Sequence, residues 1–356
     1  MAKKDIRIAN FNLLNLNLPN APIYDSEGWT PAEYASKIVF SSRVLDAINA
    51  DVIGFEECWD AQVLDDIFAA PNLKGRYDLV ARTLDPRGIQ VALAAKKGLI
   101  AAEPVWIEEF PETARFVNLQ EARDAQESVT VTISRFSRPL LRVVINKAAD
   151  TPDIVFYVAH LKSKGPTTLK RNSANPVQKA HNFIARTVVS HVRRMVEAGA
   201  FRAIIDAEMK GNDKPVVIVG DLNDATLSVS TELLSGSPGY RFFAKSTAGL
   251  KSDTGLYTVE KLQQLRSFRH VYYTHIFKNQ MESLDHIMVS DSFYDHSSIR
   301  KWSFREMQVL NDHLTATEAE RNRLGYNDHG IIVAQFEWNP MVQEAERIVA
   351  EEGPSS

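Results

Sequence analysis

The sequence feature that most constrains the fold of this chain is a series of short apolar segments, each of which ends at a polar residue. Residues 154–159 and 215–219 carry almost only apolar side chains, which is typical of strands buried on both faces of a sheet. Further strands are predicted at residues 6–11, 51–55, 90–95, 129–136, 140–145, 283–289 and 330–334. Sheets built from such strands need covering layers, because both of their faces are apolar.

Helical segments separate several of these strands. Thr30-Pro31-Ala32-Glu33 has the residues of a helix start, with Thr30 as the N-cap and Glu33 completing a capping box. This helix is predicted to run to about residue 49, and a second one is predicted at 61–68. A long amphipathic helix is predicted at 177–198, with one side formed by Phe183, Ile184, Val188, Val192 and Met195. Residues 17–29, 200–213 and 236–255 are interpreted as surface insertions.

The composition is that of an ordinary globular enzyme and allows a large core. Of 356 residues, 44% are hydrophobic and 24% charged, and no linker or repeat divides them. Residues 1–340 are therefore predicted to form a single domain, followed by an acidic tail at 341–356. The net charge of −4 neither supports nor excludes a polyanionic substrate, because phosphate binding needs only a local basic face.

The cysteine content and the lengths of the apolar runs indicate in which cellular compartment the protein is expected. The single cysteine, Cys58, excludes an internal disulfide and a cysteine-based metal cluster. The N-terminus lacks the apolar core of a signal peptide, and no apolar run reaches the length of a membrane span. We therefore predict a cytoplasmic protein without a membrane span, or a secreted one if a leader has been removed. No protein partner can be inferred.

Polar side chains border the apolar strands repeatedly, and their chemistry is consistent. They include carboxylates for an oxygen-seeking cation, amides that orient ligands, and histidines that handle protons. The set is Asn12, Glu57, His160, Asp221, Asn223, Asp285, Asp328 and His329. Because strand ends meet at one rim of a sandwich, these side chains are expected in one cleft. No serine or cysteine nucleophile with a partnered base is evident, and no glycine-rich phosphate loop occurs.

These positions carry motifs that resemble, in order, those of the endonuclease/exonuclease/phosphatase superfamily. The motifs are Ile8-Ala9-Asn10-Phe11-Asn12, Asp51-Val52-Ile53-Gly54-Phe55-Glu56-Glu57, Ala159-His160-Leu161-Lys162-Ser163-Lys164, Val219-Gly220-Asp221-Leu222-Asn223, Ser283-Leu284-Asp285-His286-Ile287 and Asn327-Asp328-His329. The style of the His160 motif is closest to bacterial nuclease-like members, and residues 85–93 resemble a strand of the same members.

The resemblance implies a four-layer α/β sandwich, with two mixed sheets packed face to face and helices outside. It also implies hydrolysis by direct attack of water on phosphorus. Glu57 would hold Mg²⁺ or Mn²⁺, with Ca²⁺ as another option, and Asn12 and Asp328 would contribute. Asp221 would orient or deprotonate the water with help from Asn223. Asp285 would fix the tautomer of His329 against the phosphate, and His160 would stabilise the developing charge or protonate the leaving oxygen.

Several positions have a second interpretation. Asn311-Asp312-His313 repeats the closing tripeptide, but the later copy is preferred because a glycine and an apolar strand follow it. Glu56 is interpreted as a bystander, since the family usually has glutamine there, and His286 as structural. The family's abasic-site endonucleases can carry an aspartate where this chain has Leu14, which weakens a DNA-repair interpretation.

Three functions follow from the sequence. A nuclease acting on DNA or RNA is favoured by the His160 motif and by Lys162, Lys164 and Arg171, which are predicted to bind substrate phosphates. A phosphatase or phosphodiesterase acting on a small phosphorylated molecule or lipid head group is favoured by the acidic net charge. A catalytically inactive binding module is the third, although every motif position keeps a chemically competent residue.

Overall fold

Two six-stranded mixed sheets organise the fold, as the resemblance implies. A computed structural model of the protein describes residues 3–82, 88–114, 119–120, 128–129, 132–167, 182–241, 245, 247–249, 253–267 and 272–341, with the backbone alone at 119–120 and 128–129. Residues 342–356 of the predicted tail, Arg171, and residues 85–87 of the bacterial-type segment lie outside these ranges.

Each predicted strand overlaps an observed one, but seven of the sixteen strands in the described residues were not predicted, and the strand lengths range from two to 11 residues. The observed strands are β1 (Ile6–Leu16), β2 (Val52–Cys58), β3 (Tyr77–Val80), β4 (Gln90–Lys96), β5 (Val105–Glu109), β6 (Leu119–Gln120), β7 (Ser128–Val129), β8 (Arg135–Ile145), β9 (Ile154–His160), β10 (Val216–Asp221), β11 (Leu256–Thr258), β12 (His275–Phe277), β13 (Gln280–Glu282), β14 (Asp285–Ser290), β15 (Trp302–Leu310) and β16 (Ile331–Trp338).

Each large sheet has a parallel pair at its centre. The first sheet has the order β15-β16-β1-β2-β4-β3, and the second has the order β11-β14-β10-β9-β8-β5. The pairs β1–β2 and β9–β10 are parallel, and the other pairs within the two sheets are antiparallel. Strands β12 and β13 form a separate hairpin, as β6 and β7 form a separate pair.

Apolar side chains from both sheets fill the space between them. Leu93, Val158 and Val219 are fully buried in this shared core. The two sheets are in close contact at Gly54, where a Cβ atom would overlap Val219 Cγ2. A glycine is therefore required at this point for steric reasons.

Helices cover the outer faces. The bounds are α1 (Pro31–Ile48), α2 (Ala61–Phe68), α3 (Asn182–Met209), α4 (Val229–Ser235), α5 (Val259–Gln264) and α6 (Glu318–Leu324). Helices α1 and α2 pack on the first sheet, and α3 packs on the second, which gives four layers. The predicted capping box of Thr30 and Glu33 is confirmed. No helix among the described residues is both long enough and apolar enough to span a bilayer.

The predictions for helix α3 were wrong in two respects. Phe183, Ile184 and Val188 are exposed, although the apolar pattern favours their burial. The helix continues to Met209, so residues 200–209 are not a surface insertion, and Phe201 and Ile205 are buried against the second sheet. The buried face was disguised by Arg194 and Glu197, two charged residues that this helix buries because each has a polar partner.

The strand prediction between β7 and β9 was also partly wrong. The two predicted strands at 129–136 and 140–145 are replaced by the single strand β8, which begins at Arg135. Residues 132–134 are not strand. Pro139 did not break the strand, because β8 reaches its neighbours by a ladder that starts again at Leu140.

Candidate active site

The ends of the central strands bring the predicted polar residues to one rim between the two sheets. In the second sheet, Asp221 is directly opposite His160 on one neighbour and Asp285 on the other. In the first sheet, Asn12 pairs with Glu56, next to Glu57. The sequence pattern therefore predicted this convergence correctly.

A local irregularity of the backbone points Glu57 into the cleft. Glu57 has a φ of 58°, in the left-handed region, and the β2–β4 register shifts between Phe55 and Cys58. The backbone N–H of Asn15 donates to Glu57 Oε2 at 2.8 Å, which fixes the carboxylate. Such strained backbone is unfavourable for a non-glycine residue and is typical of functional sites.

Asp221 is at the centre of the cluster and is buried. Its Oδ2 accepts from Asn12 Nδ2 at 3.3 Å and is 3.5 Å from His160 Nε2 and 3.9 Å from His329 Nε2. Its Oδ1 accepts from the backbone N–H of Asn223 at 2.8 Å. The preceding residue must be a glycine for the backbone to reach this position, because a Cβ atom at Gly220 would overlap the carbonyl of Ala159 on the neighbouring strand.

His329 and Asp285 form a buried pair. His329 Nδ1 is 2.8 Å from Asp285 Oδ2, and the backbone N–H of Asp285 is held by the Thr274 hydroxyl. Burial alone would lower the pKa of His329, but Asp285 and then Asp221 raise it well above its usual value. The imidazole is therefore positively charged at neutral pH, with Nε2 directed toward Asp221.

His160 has the opposite electrostatic character. Burial, and then the positive charge of Arg138, lower the pKa of His160 well below its usual value, so this ring is neutral. Its buried Nδ1 has no hydrogen-bond partner among the described residues. Buried N–H groups without an acceptor are rare, so we assign the proton to Nε2, which faces carboxylate oxygens of Asp221 and Glu57.

The donor set fits a hard divalent cation. Burial, followed by Asp328, raises the pKa of Glu57, and burial raises the pKa of Asp221 to about 7. Within the described residues, neither carboxylate forms an ion pair with lysine or arginine. One ligand atom each of Glu57, His160 and Asp221 lies within 4.8 Å of the others. The two carboxylates supply crowded, unneutralised oxygen ligands, which Mg²⁺ and Mn²⁺ prefer.

The remaining predicted residues have more varied surroundings. Asp328 is half-buried, and one of its carboxylate oxygens lies within 4.8 Å of a ligand atom of His329 and of His275. Its charge also acts on Glu57. Asn223, with a φ of 56°, donates its side-chain amide to Leu161 O at 3.1 Å and so ties two rim loops together. His286 bonds Asp224 O at 2.8 Å, in agreement with its structural interpretation. Asn311-Asp312-His313 is not at the rim cluster, and His313 contacts the backbone of His329 from behind.

The predicted phosphate-binding lysines are engaged elsewhere. Lys162 Nζ bonds Ser163 Oγ at 3.0 Å and Gly165 O at 3.2 Å within its own loop. Lys164 forms an ion pair with Glu282 at 2.6 Å. Burial, and then Arg138, lower the pKa of Lys162 to about 8, so this lysine remains mostly protonated at neutral pH.

Sequence reasoning missed a buried lysine behind the cleft. Lys37 of α1 is 1% exposed and donates to Asn327 Oδ1 at 2.8 Å, while Asn327 Nδ2 donates to Asn12 O at 2.8 Å. The ammonium also stacks over Trp29, 4.6 Å from the ring centroid. The only signal in the sequence was a lysine on the helix face that otherwise buries Tyr34, Ser41 and Leu45.

Arg138 was also missed. Its guanidinium donates to Leu161 O at 3.1 Å and lies close to the exposed side chain of Tyr24. Burial is the main reason why the pKa of His160 falls and that of Glu57 rises, and the charge of Arg138 adds to the first shift and opposes the second. It therefore supplies positive charge directly at the cleft.

Comparisons with known proteins agree with this geometry. A family model described as Endonuclease/Exonuclease/phosphatase family matches residues 39–307. No curated protein sequence matches significantly. Solved structures with a similar fold cover 94% of this chain and include an endonuclease/exonuclease/phosphatase from Bacteroides vulgatus, with 14% identity, 99% of that chain and a TM-score of 0.53.

Two further structures have the same fold at similarly low identity. The mannosyl-6-phosphatase Bt3783 of Bacteroides thetaiotaomicron has 14% identity, and 94% of this chain covers 100% of it with a TM-score of 0.51. D. rerio TDP2, complexed with a single-strand DNA product, has 12% identity over 94% of this chain and 99% of its own, also with a TM-score of 0.51. The motifs, the rim geometry and the match over most of the sequence lead to one conclusion: the chain belongs to the endonuclease/exonuclease/phosphatase family, whose members hydrolyse phosphoester bonds.

Proposed function

We propose that this protein is a metal-dependent nuclease that hydrolyses phosphodiester bonds of DNA or RNA by direct attack of water. The observation that carries the proposal is the position of Asp221 Oδ2, which is between His160 and His329 and beside Glu57. A proton acceptor flanked by one neutral and one positively charged histidine is suited to a reaction that moves a proton while negative charge develops on the phosphoryl oxygens.

Glu57 would hold the metal ion, with Asn12 and Asp328 contributing. When bound, Mg²⁺ or Mn²⁺, with Ca²⁺ as another option, would neutralise the crowded carboxylates and polarise a phosphoryl oxygen. The protein's own part is to keep Glu57 fixed, through the Asn15 N–H, and to keep Asn12 oriented, through Asn327.

Asp221 is the proposed acceptor of the water proton. Its pKa, raised by burial to about 7, allows it to take up a proton near neutral pH. Asn12 and the backbone N–H of Asn223 hold the two carboxylate oxygens in place. The proton therefore moves from water to an oxygen whose position is already determined, which reduces the reorganisation that the reaction requires.

The two histidines act on the phosphoryl group from different sides. His329, kept charged by Asp285, donates from Nε2 to an equatorial phosphoryl oxygen as negative charge develops there. His160, neutral and protonated on Nε2, donates to the leaving oxygen and stabilises its charge. Asp285 does not touch substrate and acts by orienting His329.

Arg138, and less directly Lys162, support a polyanionic substrate. The Arg138 guanidinium is at the cleft between Tyr24 and Leu161. It is suited to a phosphate beyond the scissile one, which a polynucleotide has and a simple monoester lacks. The DNA product bound by the similarly folded TDP2 is consistent with this choice. The mannosyl-6-phosphatase and the net charge of −4 favour the alternative, a phosphatase or phosphodiesterase for small molecules.

The test is incubation of the purified protein with supercoiled plasmid and with single-stranded RNA, each with Mg²⁺, Mn²⁺ or EDTA. We expect metal-dependent cleavage that is lost in His160→Ala. The matched control is His296→Ala, which removes an exposed histidine and should cleave as the wild type does. If neither nucleic acid is cleaved while a sugar phosphate or a phosphodiester of a small alcohol is hydrolysed, the nuclease proposal is wrong and the alternative holds.

A further inference from the structure

His275 comes to the active site from an element that the proposed mechanism does not use. It begins the β12–β13 hairpin, which is anchored next to the catalytic strands: Gly330 N donates to Thr274 O at 2.7 Å, and Thr274 N donates to Glu282 O at 2.9 Å. His275 also pairs with His329 through an isolated antiparallel bridge. The two imidazole centroids are therefore only 4.8 Å apart.

Three ligand atoms converge at this place. One atom each of His275, Asp328 and His329 lies within 4.8 Å of the others. Because Asp285 engages Nδ1 of His329, Nε2 is the atom that remains for a ligand. A carboxylate that holds one imidazole nitrogen while the other binds metal is the usual arrangement behind metal-ligating histidines.

We propose that His275, Asp328 and His329 form a second metal site, selective for a transition-metal ion such as Zn²⁺. Two imidazoles and one carboxylate are a ligand set that suits Zn²⁺, whereas Mg²⁺ prefers oxygen ligands and retained water. His275 and Asp328 are only half-buried, which leaves the site open to solvent.

The site has a consequence for activity, and this part rests on the proposed function. Zn²⁺ on His329 would displace the proton from Nε2 to solvent and remove the donor that faces the phosphoryl oxygen. Asp328 is also shared with the Mg²⁺ ligands proposed above. Occupation by Zn²⁺ should therefore inhibit hydrolysis even when Mg²⁺ is saturating.

The binding experiment does not depend on any activity. Tag-free, EDTA-stripped protein is titrated with Zn²⁺ by calorimetry in buffer containing excess Mg²⁺, and with Co²⁺ by visible absorption as a spectroscopic substitute. We expect one Zn²⁺ per chain and a tetrahedral Co²⁺ spectrum in the wild type. His275→Ala and His275→Gln should bind at least about tenfold more weakly, whereas the exposed control His296→Ala should bind as the wild type does.

Zinc binding that is unchanged in both folded His275 variants, or a wild type that binds no Zn²⁺ in the presence of Mg²⁺, would overturn the proposal. Two variants are used so that the test can still be made if one of them fails to fold. A separate measurement gives the Zn²⁺ concentration that halves each variant's own Mg²⁺-dependent hydrolysis, and we expect this concentration to rise about tenfold in the His275 variants. If no hydrolysis of any phosphoester is found, the proposed function fails, and the binding result still decides the site.

Discussion

The Asp285–His329 pair allows a sharp test of the mechanism through the substitution Asp285→Asn. The change keeps the size of the side chain and removes the charge from a 2.8 Å bond between two buried groups. Asp285 is the strongest influence that raises the pKa of His329 against the effect of burial. Without its charge, burial favours the neutral imidazole, and His329 loses its positive charge at neutral pH.

The expected magnitude follows from the kind of bond. A hydrogen bond to a charged group contributes about 1.5–3 kcal/mol, and about 1.4 kcal/mol corresponds to a tenfold change in rate. We therefore expect kcat to fall roughly 10- to 150-fold. KM should change little, because the donor acts mainly on charge that develops in the transition state.

The assay is steady-state hydrolysis of the wild-type substrate at saturating metal, corrected for the folded fraction. The matched control is Asp51→Asn, which removes a carboxylate that is equally buried and ion-paired with Lys96 and Lys147 at the opposite end of β2. That variant should lose stability and keep its turnover. If folded Asp285→Asn retained turnover within twofold of the wild type, a charged His329 would have no place in the mechanism.

Three further predictions concern neighbouring residues. Glu57→Gln should lower kcat by at least about 100-fold, whereas Glu56→Gln should not, because burial followed by Asp285 raises the pKa of Glu56 and keeps it neutral; comparable losses in both would contradict this. Metal-free Asp221→Asn should melt above the wild type at pH 8 by calorimetry. Burial raises the pKa of Asp221 in the folded wild type from 3.8 to about 7, so the wild-type protein loses stability as the pH rises through that window. The difference in melting temperature should therefore vanish near pH 4, and a difference that does not change with pH would refute the reasoning. Gly220→Ala should cost about 3 kcal/mol in urea unfolding, unlike Gly165→Ala, whose Cβ would meet only Ser163 Oγ at 3.6 Å.

Much of the fold was predictable, because strand and helix formation depend on local patterns. The apolar runs at β9 and β10 are buried on both faces as predicted, and the α1 capping box is encoded within four residues. The predictions failed where a local pattern competed with tertiary contacts. Helix α3 buries Arg194 and Glu197 and exposes Phe183, because charged groups can be buried when distant partners satisfy them.

The candidate site was likewise predictable in part: the sequence grouped the catalytic candidates but did not predict the partners of the loop lysines. Asn12, Glu57, His160, Asp221 and His329 each border an apolar segment of the sequence, so their residue types and order were sufficient to group them. Lys162 and Lys164, in contrast, read as free cations in the sequence but are bonded within their loop or to Glu282. Whether a loop lysine is free to bind substrate depends on its hydrogen-bond and ion-pair partners in the folded protein, which a local sequence pattern does not predict.

The sequence alone determined the central strands of both sheets, the order of the motifs and the residue types at one rim. Only the tertiary structure decided which atoms meet there: Lys37 reaches Asn327 across 290 positions, and the β12–β13 hairpin brings His275 onto His329. The physical reason is that hydrogen bonds and metal ligation act over a few ångströms in space. Residues that are far apart in the chain become neighbours only after the two sheets have packed.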